Sequence, residues 1–429
     1  MNREFRKFAI TMTDQAVLSG LNMFIGGLFI AAAPKEEYGT YTLAFAFVLL
    51  LNSVQNAVIT TPLTANGARL GSTEQENMVD AMFRLQTGLV AALGVATAAG
   101  LWLWALAHHG PWSGQLTLGV ALAVVGAWMR EFRRTEHFLR LDAKKVFAGD
   151  LIFVGLASVC LVALYWKAET MRASWALLIV GLAGVATGAT RLSHLLTRRG
   201  SSTARRSNLA LLADQVRWTL PNVFVTWGQT TSYSYVVALV AGSAAVADLS
   251  AARLFLTPVS FAVLAWSRLF MPRAGALLSV DDSWTVFRLT RRGALELIGL
   301  LVLYSLSIAF FFGLGGASLL PAKYSTVSTL VALWGAYFVT NLIRGVATTA
   351  LMAHAAFRVL LIDTLWAALL SLPLMIGLGY LRGAAGVVYG MMVGELVLAV
   401  LLWRELRIRS TSQSDALGYR HGVARGIEG

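Results

Sequence analysis

Long apolar stretches, separated by short polar segments, run along the whole chain. Pro, Gly and charged residues mark the separations between twelve such stretches. Each is long enough to cross the ~30 Å hydrocarbon core of a bilayer as a helix, whose backbone groups are bonded within the segment. The pattern therefore predicts an all-α polytopic membrane protein with twelve transmembrane helices. These helices are expected at residues 8–33, 39–66, 80–107, 113–134, 146–166, 172–196, 209–240, 246–271, 285–313, 325–352, 357–380 and 384–406.

Composition supports a membrane protein. Hydrophobic residues make up 57% of the 429 positions and charged residues only 13%, about half the charged share of soluble domains. Cys160 is the single cysteine, so an intrachain disulfide is excluded, and the chain has no Cys/His cluster with zinc spacing. We expect neither a metal nor another cofactor. The first apolar stretch is long and no small-residue cleavage site follows it, so we interpret it as a retained helix rather than a signal peptide.

The net charge of +13 is unevenly distributed. Most of the 35 Lys and Arg residues fall at the N-terminus, in alternate loops and in the tail. This bias predicts that both termini lie on the cytoplasmic side, by the positive-inside rule. Topology therefore explains the basic loops better than nucleic-acid binding does. Capture of anionic lipid or substrate at the inner face is the alternative explanation.

A sequence repeat opens the first and the seventh predicted helix. Residues 13–24 are TDQAVLSGLNMF and residues 213–224 are ADQVRWTLPNVF. Because the copies open helices 1 and 7, each half has six helices and both halves enter from the same side, as in the parallel repeats of some secondary transporters. We expect two pseudo-symmetric six-helix bundles that rock about a cleft. The predicted division is 1–197 for the first bundle, 198–208 for a cytoplasmic linker, 209–409 for the second bundle and 410–429 for a flexible tail.

The repeat places polar residues on one face of each leading helix. Gln15, Ser19 and Asn22 have the spacing i, i+4, i+7, and Gln215, Thr219 and Asn222 repeat it. Since polar groups facing lipid are costly, these stripes are expected to line a wet cavity, with interhelical hydrogen bonding as the alternative. Similar stripes in helices 2 and 10 are expected to form further walls of that cavity. They contain Asn52, Gln55, Asn56, Tyr337, Asn341 and Arg344.

Three arginines lie inside predicted helices, where each needs a partner or a wet pocket. Arg217 follows Asp214 at ion-pair spacing, so a structural pair is one interpretation. Arg253 lies near Asp248 and the outer end of its helix, from which it can also snorkel outward. Arg344 has no acidic neighbour at helical spacing and is the best single candidate for contacting an anion such as phosphate.

Acidic residues offer candidates for ion coupling. Asp14 and Asp214 begin the two repeated helices at their inner ends, where the helix dipole favours a carboxylate. Glu395 lies deeper, in helix 12, with no basic residue at helical spacing. Burial favours the protonated form of such a group, so Glu395 is a candidate proton-coupling site.

The region from DQAVLSGLNMF to TPLTANGARL, with YGTYTLA after the first outer turn and the Asn/Gln-rich second helix ending near Pro62, resembles the first two helices of bacterial polysaccharide flippases. Residues 383–406 resemble the last helix of that family, which belongs to the multidrug/oligosaccharidyl-lipid/polysaccharide exporter superfamily. The resemblance implies a bacterial inner-membrane transporter that moves an undecaprenyl-diphosphate-linked oligosaccharide to the periplasmic leaflet. Arginines would contact the diphosphate, and polar and aromatic side chains the sugars.

The same resemblance implies the partners. They are the lipid-linked glycan and membrane lipids, with other membrane proteins of polysaccharide assembly as further candidates, and the chain is expected to be a monomer. No Walker A pattern occurs, so ATP is not expected to drive transport directly.

Three other functions compete with this interpretation. The first is a cation-coupled multidrug antiporter of the same superfamily, for which Glu395 is a suitable residue. The second is a membrane-embedded polysaccharide polymerase or glycosyltransferase, which the short outer loops disfavour. The third is a purely structural partner in a secretion complex, for which two polar stripes facing a cavity would have no use.

Overall fold

The computed structural model describes most of the chain. The described residues are 3–67, 70–107, 114–140, 142–167, 170–189, 216–217, 219–278, 280, 282–316, 320–354 and 356–427. Every regular element among them is helical. This agrees with the apolar pattern, because a membrane segment must satisfy its backbone hydrogen bonds internally.

Seven α-helices lie in the described residues before 190. They are α1 Arg3–Ala32, α2 Lys35–Gln55, α3 Thr61–Gly67, α4 Ser72–Ala107, α5 Gly114–Leu139, α6 Ala143–Lys167 and α7 Ala173–Gly188. A π-helical turn, Asn56–Thr60, connects α2 to α3, so these two helices form one crossing.

Six further α-helices lie in the described residues after 218, besides a short 3-10 helix, Ala322–Tyr324. They are α8 at 219–230, α9 Tyr233–Leu254, α10 Thr257–Leu278, α11 Ser283–Gly313, α12 Val327–Ala353 and α13 Phe357–Ile427. Two glycines interrupt them: Gly242 in α9 has φ 83° and Gly383 in α13 has φ 62°, in the left-handed region that glycine adopts at little cost. Each glycine marks the short turn between two crossings.

The number of crossings agrees with the sequence. Within the described ranges, eight helical segments are long and apolar enough to span a membrane. Dividing the segments Thr219–Leu254 at Gly242 and Phe357–Thr411 at Gly383 raises the eight to ten, and adding α5 and α7 gives twelve crossings. In this count α10 continues the crossing that begins after Gly242. The predicted fold class, an all-α protein of twelve transmembrane helices, is confirmed. The predicted cytoplasmic position of both termini stays a prediction, since it depends on the charge distribution alone.

The chain forms two compact units, Met1–Phe224 and Val225–Gly429. The predicted linker at 198–208 lies outside the described residues, so the bundle boundaries stay a prediction. Thr219, at the start of α8, belongs to the first unit, where its hydroxyl donates to the carbonyl oxygen of Ala57 at 3.2 Å. The predicted tail after residue 409 continues α13 as a helix to Ile427.

Glycines bring α5 and α7 into backbone contact in the first unit. A Cβ atom built on Gly126 would lie 2.2 Å from the carbonyl oxygen of Gly181, and one on Gly184 would lie 2.7 Å from the carbonyl carbon of Gly126. Only glycine fits at such distances. This tight pair supports the C-terminal half of α5, whose arginines are described below.

A buried apolar cluster joins four helices of the second unit. Phe270 of α10, Val286 of α11, Leu351 of α12 and Leu402 of α13 belong to it, each at most 5% exposed. Trp403 packs against the cluster, and its indole N–H donates to the carbonyl oxygen of Ile343 at 3.0 Å. This packing fixes α12 against the last crossing, and the two helices carry the charged pair of the candidate site.

Candidate functional site

A buried ion pair joins α12 to the last crossing in the second unit. Arg344 Nε donates to Glu395 Oε2 at 2.5 Å. The Glu395 side chain is 0% exposed and the Arg344 side chain 20%. A lone charge buried to this degree would be costly, so each residue accounts for the presence of the other. Helical spacing could not reveal the pair, because the partners are 51 residues apart.

A tyrosine and an asparagine on α12 extend this pair. Tyr337 Oη donates to Glu395 Oε1 over 3.5 Å, and Asn341 Nδ2 donates to Tyr337 Oη at 3.3 Å. The structure thus brings four candidate residues together: Tyr337, Asn341, Arg344 and Glu395. Since Arg344 uses its Nε atom for Glu395, the outer edge of its guanidinium stays available. No described protein atom forms a hydrogen bond with its two terminal nitrogens.

Arg253 lies on a group of aromatic rings in the same unit. Its guanidinium carbon is 5.5 Å from the ring centre of Trp334 and 5.8 Å from that of Tyr233, and Nη1 donates to Tyr233 Oη at 3.0 Å. These ring distances are those of a cation–π contact. Within the described chain, the Arg253 guanidinium contacts hydroxyl and ring groups. Asp248, a candidate partner from the sequence, forms no ion pair with it there.

Helical spacing places these aromatic and polar groups side by side. Trp334, Tyr337, Asn341 and Arg344 follow one another at intervals of three, four and three residues, which keeps them on one face of α12. Trp334 is 0% exposed, and its indole N–H donates to the carbonyl oxygen of Leu249 at 3.0 Å. That bond fixes the ring between α9 and α12, so Arg253 contacts a rigid surface.

A second charged cluster lies in the first unit, where three helices meet. Arg134 of α5 pairs with Asp14 of α1 (Nη2 to Oδ2, 3.0 Å) and with Asp150 of α6 (Nε to Oδ2, 2.7 Å). Both aspartates are 1% exposed. Arg130 lies 3.9 Å from Asp150 and over the Phe153 ring at 4.0 Å from its centre. Arg134 is thus shared by two buried carboxylates, and Arg130 adds a second, more distant cation beside Asp150.

This cluster gives Asp14, a candidate for ion coupling, a protein cation as its partner. A small cavity of about 10 Å³ beside the cluster has room for about one water molecule. Arg133 lines it and donates to the carbonyl oxygen of Thr187. No three His, Cys, Asp or Glu side chains come together as a metal site within the described ranges.

Gln55 takes part in a hydrogen-bond network between helices of the first unit. Its Nε2 atom donates to Gln86 Oε1 and to the Trp128 carbonyl oxygen, both at 2.8 Å, and Gln86 Nε2 donates to the same carbonyl at 3.1 Å. Gln55 and Gln86 are both 0% exposed. For Gln55 the geometry favours the alternative interpretation, interhelical hydrogen bonding. Asn56 bonds locally, since its Oδ1 accepts from the Thr60 hydroxyl at 2.7 Å.

The remaining predicted site residues fall into three groups: exposed residues, half-buried residues and residues outside the described ranges. Asn22, Asn222 and Arg217 are exposed, while Gln15 and Asn52 are half-buried. Asp214 and Gln215 lie outside the described residues. The proposed pair of Arg217 with Asp214 and the second polar stripe therefore stay predictions.

Sequence reasoning missed Arg134 and Asp150 as members of a charged cluster and Trp334 as a member of an aromatic cluster. Arg134 falls among the basic residues that topology already explains. No local signal identified the charged cluster, because Arg134 and Asp14 are 120 residues apart. Trp334 could have been found from the spacing, because it lies one turn before Tyr337 on the helix face that carries the predicted polar stripe.

Comparison with solved structures identifies proteins that share the fold of this chain. No protein-family model and no curated protein matches the sequence. Among solved structures, an inward-facing multidrug resistance MATE family transporter of the MOP superfamily matches with a TM-score of 0.68 at 15% identity, covering 92% of this chain and 95% of that one. The chain has a MATE-type fold. This MATE-type match extends through both units.

Two further solved structures share the MATE-type fold. The outward-facing conformation of a multidrug resistance MATE transporter matches with a TM-score of 0.59 at 15% identity, covering 95% of each chain. A MOP superfamily transporter from Pyrococcus furiosus matches with a TM-score of 0.62 at 14% identity over 95% of each chain. That protein is described as having a binding pocket of reversed polarity that suggests a different function. One MATE-type fold therefore accommodates pockets of different polarity.

Proposed function

We propose that the chain is an alternating-access secondary transporter that exports a lipid-linked oligosaccharide diphosphate across the bacterial inner membrane. The transport class is supported by the MATE-type fold, since the solved structures that share it are described as transporters. The direction and the membrane follow from the sequence resemblance to polysaccharide flippases. Fold alone does not choose a substrate, so the substrate is argued from charge.

The charge of the second unit's polar cluster supports an anionic substrate. Glu395 balances Arg344, whereas Arg253 contacts ring faces and a hydroxyl group and has no carboxylate partner in the described chain. This excess positive charge is the observation that carries the proposal. A guanidinium with unused N–H donors suits a diphosphate, and the neighbouring Tyr and Asn side chains suit sugar hydroxyls.

A cation-coupled multidrug antiporter is the second candidate function. Two observations favour it: the solved structures include multidrug resistance transporters, and Glu395 is a fully buried acidic residue in the last crossing. In an antiporter a carboxylate of this kind would exchange a proton or metal cation against an organic cation. Arg344 opposes this role, since its guanidinium already neutralises Glu395 in the structure.

Deletion of the gene separates the two functions. If the chain exports a glycan, the deleted strain accumulates an undecaprenyl-diphosphate-linked oligosaccharide on the cytoplasmic side, measured by mass spectrometry of extracted lipids. Complementation with the R344Q/E395Q double variant, which removes the guanidinium without leaving an unpaired buried charge, should fail to clear it. R292A serves as the matched control, because Arg292 is an exposed residue that pairs with Glu296. No accumulation, together with new sensitivity to cationic dyes, would assign the antiporter function instead.

A further inference from the structure

The rings of Tyr233 and Trp334 form a surface of the kind that binds organic cations. Their ring centres lie 5.3 Å apart at an angle of 76°, and Tyr337 packs against Trp334 at 5.2 Å and 86°. Walls of aromatic faces at steep angles are the usual receptor for quaternary ammonium groups. All three rings are buried: Tyr233 is 3% exposed, Trp334 0% and Tyr337 4%.

The chain's own cation already occupies this surface. The Arg253 guanidinium lies within 6 Å of the Trp334 and Tyr233 ring centres, and its hydrogen bond to Tyr233 Oη fixes it there. Arg253 is exposed while the rings beneath it are buried, so this residue covers the aromatic surface. Any other cation would have to displace it and would also be repelled by its charge.

We propose that Arg253 determines the charge preference of the transport site. Its guanidinium fills the aromatic surface, excludes organic cations from it and presents its unused N–H donors to an anionic group. This inference rests on the proposed transport function, because it concerns the charge class of the substrate. It goes further by assigning the exclusion of cations to one residue and the latent cation site to Tyr233 and Trp334.

A binding measurement on the purified full-length chain tests the proposal. The probe is tritiated tetraphenylphosphonium, and its binding to detergent-solubilised protein is followed by scintillation proximity. The wild-type protein should bind it weakly. Arg253→Ala should bind it about tenfold more tightly, the gain expected from two ring contacts of about 0.5–1 kcal/mol each. Arg253→Lys, which keeps a cation in place, should behave as wild type.

Two controls make the result decisive. Arg292→Ala removes an exposed positive charge that pairs with Glu296, so it reports the effect of net charge alone and should leave binding unchanged. Arg253→Gln gives a second uncharged variant, for use if the alanine variant does not elute as a single species in size-exclusion chromatography. A gain in both uncharged variants, absent from the lysine and Arg292 variants, supports the proposal.

Several outcomes would overturn it. If neither uncharged variant binds the probe more tightly than the wild type, Arg253 does not cover a cation site. The same conclusion follows if Arg292→Ala shows an equal gain in affinity. Tight binding by the wild-type protein would do the same without any substitution, because the aromatic surface would then accept a cation with Arg253 in place. Glycan accumulation in the deletion strain is a separate measurement, so failure of the proposed function and failure of this inference are distinguishable.

Discussion

Arg344 and Glu395 form a direct ion pair between α12 and the last crossing of the chain, with Nε and Oε2 2.5 Å apart. In the sequence, each residue lacks an oppositely charged partner at helical spacing. In the structure, each residue is the other's charged partner. The pair also changes the roles to be tested, because Glu395 now orients the guanidinium that was proposed to contact an anion.

The loss of stability should depend on which partner of this pair is removed. Arg344→Ala leaves Glu395, which is 0% exposed, without a counter-charge and should cost about 3–5 kcal/mol of stability. Glu395→Ala leaves Arg344, which is 20% exposed, and should cost roughly 1–3 kcal/mol because solvent screens the charge. The double variant should cost less than the sum of the two. Chemical unfolding in detergent measures all three, and strict additivity would show that the residues do not interact.

Arg134 should be among the least replaceable arginines of the first unit. Its removal leaves Asp14 and Asp150, both 1% exposed, without their shared cation, so Arg134→Gln should destabilise the protein by about 3–5 kcal/mol. Adding Asp14→Asn should restore part of that loss. Arg140→Gln is the matched control, since Arg140 is 42% exposed and its loss should cost under about 1 kcal/mol. Equal losses for both arginines would contradict this account.

The fold could be predicted from the sequence because bilayer thickness sets the length of each apolar stretch. Even the short turn within α13 is visible, since Gly383 lies between two apolar runs. Local ion pairs such as Arg292 with Glu296, four residues apart, can also be found from spacing. Pairs such as Arg344 with Glu395 cannot, because helical periodicity fixes which face a residue occupies but not which distant helix meets that face.

Gln55 illustrates the same limit within one polar stripe. A stripe that lines a cavity and a stripe that bonds to other helices have the same spacing, and only the packing distinguishes them. Gln55 bonds to Gln86 and the Trp128 carbonyl, so Gln55→Ala should cost about 1–3 kcal/mol of stability while transport per folded molecule is retained. Asn22→Ala, at an exposed position, should change stability by less than about 0.5 kcal/mol. Unfolding curves and transport rates normalised to folded protein check both expectations.

The contact of α5 with α7 should tolerate no side chain at Gly126. A Cβ atom there would lie 2.2 Å from the Gly181 carbonyl oxygen, so Gly126→Ala must separate the helices and should cost roughly 1–3 kcal/mol or prevent folding. Gly155→Ala is the control, because a Cβ atom at that helical position has no neighbour within 4 Å. Alanine there should stabilise the protein by about 0.5–1 kcal/mol through helix propensity. Thermal unfolding in detergent should therefore shift in opposite directions, and a shared direction would contradict the packing.

Asp282 should make the stability of α11 depend on pH. Hydrogen bonds from the side chain and the backbone N–H of Thr285 lower the pKa of Asp282 below its ordinary value of 3.8. A carboxyl whose pKa is lower in the folded state contributes stability above its unfolded pKa and loses it as the pH falls through the folded pKa. Asp282→Ala should cost about 0.5–2 kcal/mol near neutral pH, because the helix loses its N-cap.

Asn is an N-cap without a charge, so Asp282→Asn should match the wild-type protein near pH 7 and remain stable where the wild type weakens, below about pH 4. Melting temperatures of the three proteins between about pH 7 and pH 3 measure this difference. Parallel curves for the wild type and Asp282→Asn across that range would show that the ionised carboxylate adds nothing to the cap. Convergence of the wild type toward Asp282→Ala at low pH would instead confirm that the charged form holds the first turn of α11.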